Sequence, residues 1–324
     1  MEKMKLKYLY ADLKSDLDII EKELELAVNS SSHLLNDASL HLLQAGGKRI
    51  RPVFVLLGAK FGNFSIEQMK KIAVPLELIH MASLVHDDVI DNSDMRRGRK
   101  TVKAEWNNRV AMYAGDFIFA RALQAVTEIE DPRAHQILAR TMVEICNGEV
   151  IQIEDKFRLN QTIKDYFRRI KRKTALLIES SCELGAVVSG ASESDILHLR
   201  RYGYYVGMSF QIVDDILDFT ATDKELGKPA GSDFMQGNMT LPILLMKDDA
   251  SIHPYIEKVM NDELSEADRK KLLQIVRKSD ALSEAAKISN QYLKKALKEV
   301  EALSDNPMKK KLRDLALFMG KRKF

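Results

Sequence analysis

Apolar residues recur at three- and four-residue spacing through most of the chain. The pattern predicts helices over 11–29, 66–92, 110–129, 133–155, 162–189, 195–220, 265–279, 282–303 and 307–319, because that spacing lays one apolar stripe along an α-helix. Two shorter apolar runs, VFVLLGAKF and LPILLMKD, start at or next to a proline. Proline is favoured in the first helical turn, where its missing N–H is no loss, so these also read as helix. Alternating runs bounded by turn residues, the mark of strands, are scarce. Breaks fall at Gly46-Gly47, from Asn92 to Arg99, at Asp131-Pro132, at Gly190 and from Thr220 to Leu241, the last rich in Gly, Asp, Lys and Pro. The expectation is an essentially all-α protein. No Pro/Ser linker divides it, so 1–324 reads as a single domain, with the motif-bearing core at about 40–242 and C-terminal helices over 250–324.

Helix packing does not account for a repeated acidic cluster. Asp87, Asp88 and Asp91 in HDDVIDNSD, and Asp214, Asp215 and Asp218 in QIVDDILDF, repeat one DDxxD pattern among apolar residues. At about 100° per residue, positions i, i+1 and i+4 share one side of a helix. Three adjacent carboxylates repel one another and resist desolvation. A single copy passes as a solvated acidic face; two copies, each embedded in apolar sequence, point to a bound cation. Hard divalent cations, Mg²⁺ above all, take carboxylate oxygens and bring substrate phosphates with them.

Cationic residues stand near both clusters. Gly46-Gly47-Lys48-Arg49-Ile50-Arg51-Pro52 compresses three cations between a turn and a helix start, where anions are welcome. Arg96 and Arg97 follow Asp91, and paired guanidiniums beside carboxylates suit diphosphate oxygens. His80 lies two helical turns before Asp87 on the same face, which favours a ligand role; His86 reads as a satisfied core histidine. Lys173 and Thr174 open an apolar segment, Gln211 sits one turn before Asp214, and Lys228 falls in the loop after the second cluster.

Composition narrows the picture. The 324 residues are 45% hydrophobic and 30% charged, with 50 basic and 47 acidic side chains and a net charge of +3. That balance, with no basic stripe interleaved with aromatics, argues against nucleic acid as a partner. The N-terminal residues show no signal-peptide pattern and no apolar run spans a bilayer, so a cytoplasmic location is expected. Cys146 and Cys182 read as small core-facing hydrophobes. No Ser-His-Asp or Cys-His arrangement, HExxH or dinucleotide fingerprint stands out. What remains is metal-assisted diphosphate chemistry.

GGKRIRP, ELIHMASLVHDDVIDNSDMRRG, KTA and GMSFQIVDDILDF occur in the order and at the distances of the signature blocks of the trans-isoprenyl (polyprenyl) diphosphate synthases, which the chain resembles from about Leu40 to Pro242. ELGKPAGSDFMQGNMTLP and the terminal GKRKF look particularly like the bacillus-type group in which a catalytic component 2 makes heptaprenyl diphosphate with a small component 1. The resemblance implies an all-α isoprenoid-synthase-type helical bundle around a deep central cavity. It implies that Asp87, Asp88, Asp91, Asp214, Asp215 and Asp218 hold Mg²⁺ on an allylic diphosphate. It assigns Lys48, Arg51, His80 and Arg97 to isopentenyl diphosphate, and Arg96, Lys173, Thr174, Gln211 and Lys228 to the allylic diphosphate, with Lys173 also catalytic. Small residues one turn before Asp87, Ala82 and Ser83, imply room for a long tail. The expected reaction extends farnesyl diphosphate to a long all-trans product, such as the heptaprenyl chain of menaquinone. Expected partners are component 1, a second copy of the chain, or both, with at most peripheral membrane contact. Alternatives are a shorter-chain synthase of the geranylgeranyl type, a class I terpene cyclase and a non-catalytic subunit. In one departure, Gly237-Asn238-Met239-Thr240 stands where many short-chain members carry a GK-x-T lysine.

Overall fold

The structure, a computed structural model, describes residues 10–321 apart from Leu159, Gly227, Lys228 and Asp262. A 3₁₀ turn at Ala11–Leu13 leads into α1 (Lys14–Ala27), α2 (His33–Gln44), α3 (Ile50–Ala59) and α4 (Ile66–Ile90). A two-stranded hairpin follows, β1 (Met95–Arg96) and β2 (Arg99–Lys100), then α5 (Val102–Glu105), α6 (Asn108–Val126) and α7 (Pro132–Asp155). Next come α8 (Ile163–Ile170), a π turn at Lys171–Ala175, α9 (Leu176–Val188), α10 (Glu193–Thr220), α11 (Asp223–Leu226), α12 (Ser232–Met235) and α13 (Leu241–Leu245). The chain ends in α14 (His253–Met260), α15 (Glu266–Lys278), α16 (Ala281–Ala302) and α17 (Met308–Gly320). No helix among the described residues is long and apolar enough to cross a membrane.

The periodic stretches of the sequence become helices with ends displaced by a few residues. The stretch 162–189 is continuous but contains the π turn. Helices α2 and α14 escaped the periodic reading. Asn36, Asp37 and Ser39, all poor helix formers, dilute α2, and α14 has only 8 residues. The break from Asn92 to Arg99 turns out to hold the hairpin, whose strands of two residues each are too short to leave an alternating signal.

The chain divides into two compact units. The first comprises Met1–Ala139, Ser180–Arg200 and Ala302–Leu312. Its axis is α4, which buries residues around much of its circumference, among them Ile72, Ala73, Leu76, Leu78, Ile79, Met81, Ala82 and Val85. A helix apolar on several sides belongs inside, and α4 packs against α1, α3 and α6. Each fully buried Ile or Leu contributes roughly 2 kcal/mol. The second unit comprises Arg140–Glu179, Arg201–Glu301 and Arg313–Phe324. Its core gathers Tyr166, Ile170, Met208, Ile212, Phe219, Phe234, Leu241, Leu272 and Val276.

The cysteine expectation needs one correction. Cys182 is buried, but Cys146 is exposed. The face of α7 that carries it also exposes Val143, Val150 and Ile153, so a hydrophobic-looking position there does not mark the core.

Candidate functional site

In the first unit, α4 ends at the first acidic trio. Asp91 is its C-cap, its N–H donating to the Asp87 carbonyl at 2.8 Å. Asn92 then turns the chain with φ +50°, and the Ser93 N–H returns to the Asp88 carbonyl at 2.9 Å. In the hairpin Met95 pairs with Lys100 and Arg96 with Arg99. The two residues between, Arg97 (φ +53°) and Gly98 (φ +77°), both have positive φ, as a two-residue turn matched to strand twist requires. The turn thus dictates the unusual backbone of Arg97. His41 secures the hairpin from α2, its Nε2 2.7 Å from the Lys100 carbonyl oxygen.

Folding back places Arg96 over the middle aspartate. Its Nε lies 2.9 and 3.0 Å from the two Asp88 carboxylate oxygens and its Nη2 2.7 Å from Oδ1. Asp88 is 2% exposed. Burial pushes its carboxyl up and Arg96 opposes that, with a net rise. Asp87 and Asp91 are half-buried.

A cationic cluster lies in the same unit. His80 is held well below its ordinary value of 6.5 by burial, reinforced by Arg51, Arg97, Arg96 and Arg49, so it is neutral. Burial lowers Arg51 to about 10, with Glu77 opposing and Arg97 adding to the fall; burial also lowers Arg97, against the pull of Glu77. Lys48 is exposed, and its carbonyl accepts the Tyr10 hydroxyl at 2.7 Å. Ala82 is buried, and the half-buried Ser83 donates its hydroxyl to the His80 carbonyl at 2.8 Å. His86 departs from expectation: its Nε2 is buried without a hydrogen bond, 3.3 Å from Asp116 Oδ1, so it is not a satisfied core residue.

In the second unit the acidic trio lies on α10. Asp215 is 3% exposed. Tyr166 on α8 donates its hydroxyl to Asp215 Oδ2 at 2.6 Å, and Gln211 donates from Nε2 to Oδ1 at 2.9 Å. The Gln211 carbonyl oxygen in turn accepts the Thr174 hydroxyl at 2.6 Å. Gln211 therefore serves Asp215 rather than the nearer Asp214. Burial pushes the Asp215 carboxyl up to about 7, helped by the charge of Asp233 and opposed by its two donors and Arg169. Asp218 is buried; its carbonyl accepts from the Gly231 N–H at 2.8 Å, and Ser232 Oγ lies 3.4 Å from its carboxylate. Asp214 is half-buried. Lys173 pairs with Glu149 at 3.1 Å.

The π turn positions the Lys173-Thr174 pair. Such turns insert one extra residue into an α-helix and concentrate at functional sites. Here the extra residue passes opposite Gly207 on α10, where a Cβ would stand 2.5 Å from the Ala175 Cα; only glycine admits the approach. Upstream, Arg169 donates to Asp155 at 3.3 Å, to Gln161 at 2.8 Å and to the Met239 carbonyl at 2.6 Å. That last bond anchors the segment Gly237-Asn238-Met239-Thr240. Lys228 lies outside the described residues.

Within each unit, then, predicted residues meet: Asp88 with Arg96, His80 with Arg51 and Arg97, and Asp215 with Gln211 and Thr174. Among the described residues no group of three or more His, Cys, Asp or Glu side chains is arranged to hold a metal ion. The donor set still suits a hard divalent cation, since both trios offer only carboxylate oxygen, and Mg²⁺ sites of this kind are completed by water and phosphate. Sequence reasoning missed Glu77 and Tyr166, and it named Arg49 only as one cation of the stretch 46–52. A lone glutamate inside AVPLELIHM was the available signal, because a charge in an apolar run is buried only with a partner. Tyr166 left no such mark.

Comparison with known proteins agrees with these features. The polyprenyl synthetase profile matches residues 32–276, and the chain belongs to that family of prenyltransferases. It is 54% identical over 321 residues, 99% of this chain and 100% of the other, to heptaprenyl diphosphate synthase component 2 of Geobacillus stearothermophilus. The crystal structure of heptaprenyl diphosphate synthase from Staphylococcus aureus matches with a TM-score of 0.89 at 45% identity, covering 95% of this chain and 98% of that one. A polyprenyl synthase from Caulobacter crescentus CB15, complexed with calcium and isoprenyl diphosphate, matches with a TM-score of 0.93 at 31% identity, covering 98% of both chains. The all-α expectation and the family resemblance both hold.

Proposed function

We propose that this chain is the catalytic component of a heptaprenyl diphosphate synthase, extending an allylic diphosphate, farnesyl diphosphate first, with isopentenyl diphosphate and releasing diphosphate. The observation that carries the reading is the gathering of Arg49, Arg51, Arg97 and neutral His80 in the unit that bears the first acidic trio. Guanidiniums that outnumber the carboxylates among them, Glu21 and Glu77, suit a polyanion. Similarity to component 2 of Geobacillus stearothermophilus supports the chain length of the product. In this reading the whole chain works as one domain.

Asp87, Asp88, Asp91, Asp214, Asp215 and Asp218 would hold Mg²⁺, which supplies neutralisation of charge on the leaving diphosphate. Arg96, Lys173, Thr174, Gln211 and Lys228 orient the allylic diphosphate, and Lys173 adds positive charge as the C–O bond breaks. Lys48, Arg51, His80 and Arg97 align isopentenyl diphosphate so that its double bond attacks the allylic cation. The released diphosphate then takes a proton from the condensed cation, restoring a double bond in the longer chain, and apolar walls keep water from the cation. Ala82 and Ser83 leave room for the growing tail.

Two apolar surfaces support an oligomeric partner, a second copy or a small component 1. Helix α6 exposes Met112, Tyr113 and Leu123, and α7 exposes Val143, Cys146, Val150 and Ile153 at the 3-4-3 spacing of a helix-pairing seam. A cytoplasmic setting with peripheral membrane contact, and a product destined for menaquinone, complete the proposal. Incubating the chain with farnesyl and isopentenyl diphosphates and Mg²⁺, with and without a candidate component 1, should give all-trans heptaprenyl diphosphate. Cyclised product, or no diphosphate release under either condition, would sink it.

A further inference from the structure

Glu77 lies in the middle of α4 and is 3% exposed. Burying a carboxylate is costly unless it is paired. Its Oε1 accepts from Arg49 Nη1 at 3.3 Å, but Oε2 is buried with no hydrogen-bond partner. Apolar packing alone would not retain such a group. Its charge acts on Arg49, Arg51, Arg97 and the Tyr10 hydroxyl. Arg51 Nε is itself buried and without a partner.

Arg49 connects this carboxylate to α1. Its Nε and Nη2 each lie 2.7 Å from a Glu21 oxygen, a bidentate pair, while Nη1 faces Glu77. Its backbone is left-handed, φ +46°. Arg97 comes in over Gly47, where a Cβ would stand 2.8 Å from Arg97 Nη1 and 3.0 Å from Arg49 Nη1. Arg49 thus contacts the buried anion, and Arg51 and Arg97 lie within reach of its charge. Like charges repel strongly where water is excluded, so the cluster needs Glu77 to stay assembled before any ligand arrives.

We propose that Glu77 is a positioning residue for the isopentenyl diphosphate site: through its charge and the Glu21-anchored Arg49 it holds Arg51 and Arg97 where diphosphate oxygens meet them. The inference rests on the functional reading above and deepens it. Glu77 acts through the arginines. Arg49, fully engaged by two carboxylates, is a spacer between them and the substrate-facing pair.

Counting charge alone gives the opposite sign, because removing a carboxylate beside an anion site should tighten anion binding. Glu77→Gln keeps the size and one acceptor oxygen and removes the charge. We expect the KM for isopentenyl diphosphate to rise about tenfold, kcat to change less than about threefold, and the KM for farnesyl diphosphate to stay put. Glu77→Asp should recover part of the loss. Glu21→Gln, on a partly exposed side chain, should raise the same KM about threefold; an unchanged value there overturns the proposal even if Glu77→Gln fails to fold. Calorimetric titration of inorganic diphosphate without metal reads the cluster independently of turnover. Weaker binding by Glu77→Gln supports positioning. Equal or tighter binding, or an equal rise in both KM values, overturns it. Glu77-dependent diphosphate binding in a wild-type chain that makes no elongated product would instead refute the functional reading and leave the positioning role standing.

Discussion

The two acidic trios share a sequence pattern and differ in how their middle aspartate is held. Asp88 is locked by a cation, three short contacts to Arg96. Asp215 is locked by neutral donors, the Tyr166 hydroxyl and the Gln211 amide. Both carboxylates are almost fully buried, at 2% and 3% exposure, so each needs a partner. An ionic partner opposes the cost of burying charge: burial pushes the Asp88 carboxyl up and Arg96 pulls against it. At Asp215 burial, with the charge of Asp233, outweighs the two neutral donors, and the carboxyl rises to about 7. One pattern can thus yield two electrostatic environments. The difference comes from what the chain folds onto it: a hairpin bearing arginine in one unit, a helix bearing tyrosine in the other.

The widest test of what the trios have in common is removal of divalent ions. Chelation should lower incorporation of labelled isopentenyl diphosphate by at least about a thousandfold in either unit's name, and added Mg²⁺ should restore it; substantial turnover in chelator would dissolve the comparison altogether. Next come the locks themselves. Arg96→Gln leaves a buried carboxylate without its cation and should cost about 3 kcal/mol in urea unfolding. Tyr166→Phe removes one neutral hydrogen bond and should cost about 1 kcal/mol. Equal losses would mean that the two locks are energetically alike.

Ala82, proposed above to leave room for the tail, lies in the first unit. Ala82→Tyr introduces bulk at a fully buried position and should shorten the product, as read by chromatography of the dephosphorylated chains; wild-type lengths would remove Ala82 from that role. The smallest effect is a pH dependence of stability that sets His80 in the first unit against Asp215 in the second, whose raised carboxyl favours the folded state as pH falls through about 7. His80 stays neutral in the folded chain, held well below 6.5 by burial and the arginines, whereas the unfolded chain takes up the proton near that pH. The unfolded state then binds more protons, so the contribution is intact above about 6.5 and is lost as pH falls towards the depressed folded value. The loss is at most about 1.4 kcal/mol per pH unit. The fall in urea midpoint from pH 7.5 to 5.5 should shrink or reverse in His80→Gln, leaving the opposite trend of Asp215; an undiminished fall would place the titrating group elsewhere.

How much could be read beforehand follows the same division. The long helices were legible because burial on one side imposes a period that composition cannot hide, and α4 and α10 were placed with their acidic trios. The Arg97-Gly98 turn lacked the Asn-Gly or Asp-Gly pair that marks a hairpin, and its two-residue strands left no alternation. Arg49 and Glu77 could not be ranked among their neighbours, because pairing between α1, α3 and α4 depends on which charges the fold brings within reach. Cys146 shows the converse failure, since helical periodicity identifies a stripe but does not say whether this chain or another covers it.

The π turn at Lys171–Ala175 carries an evolutionary consequence. A wide turn holds one residue more than an ordinary one, so a single-codon deletion there would yield a straighter rod with better backbone bonding. It would also swing Tyr166 and Arg169 by about 100° about the axis relative to everything downstream. Lineages that lost the residue would gain a sounder helix and misdirect the hydroxyl that Asp215 depends on, so the imperfection is expected to resist repair.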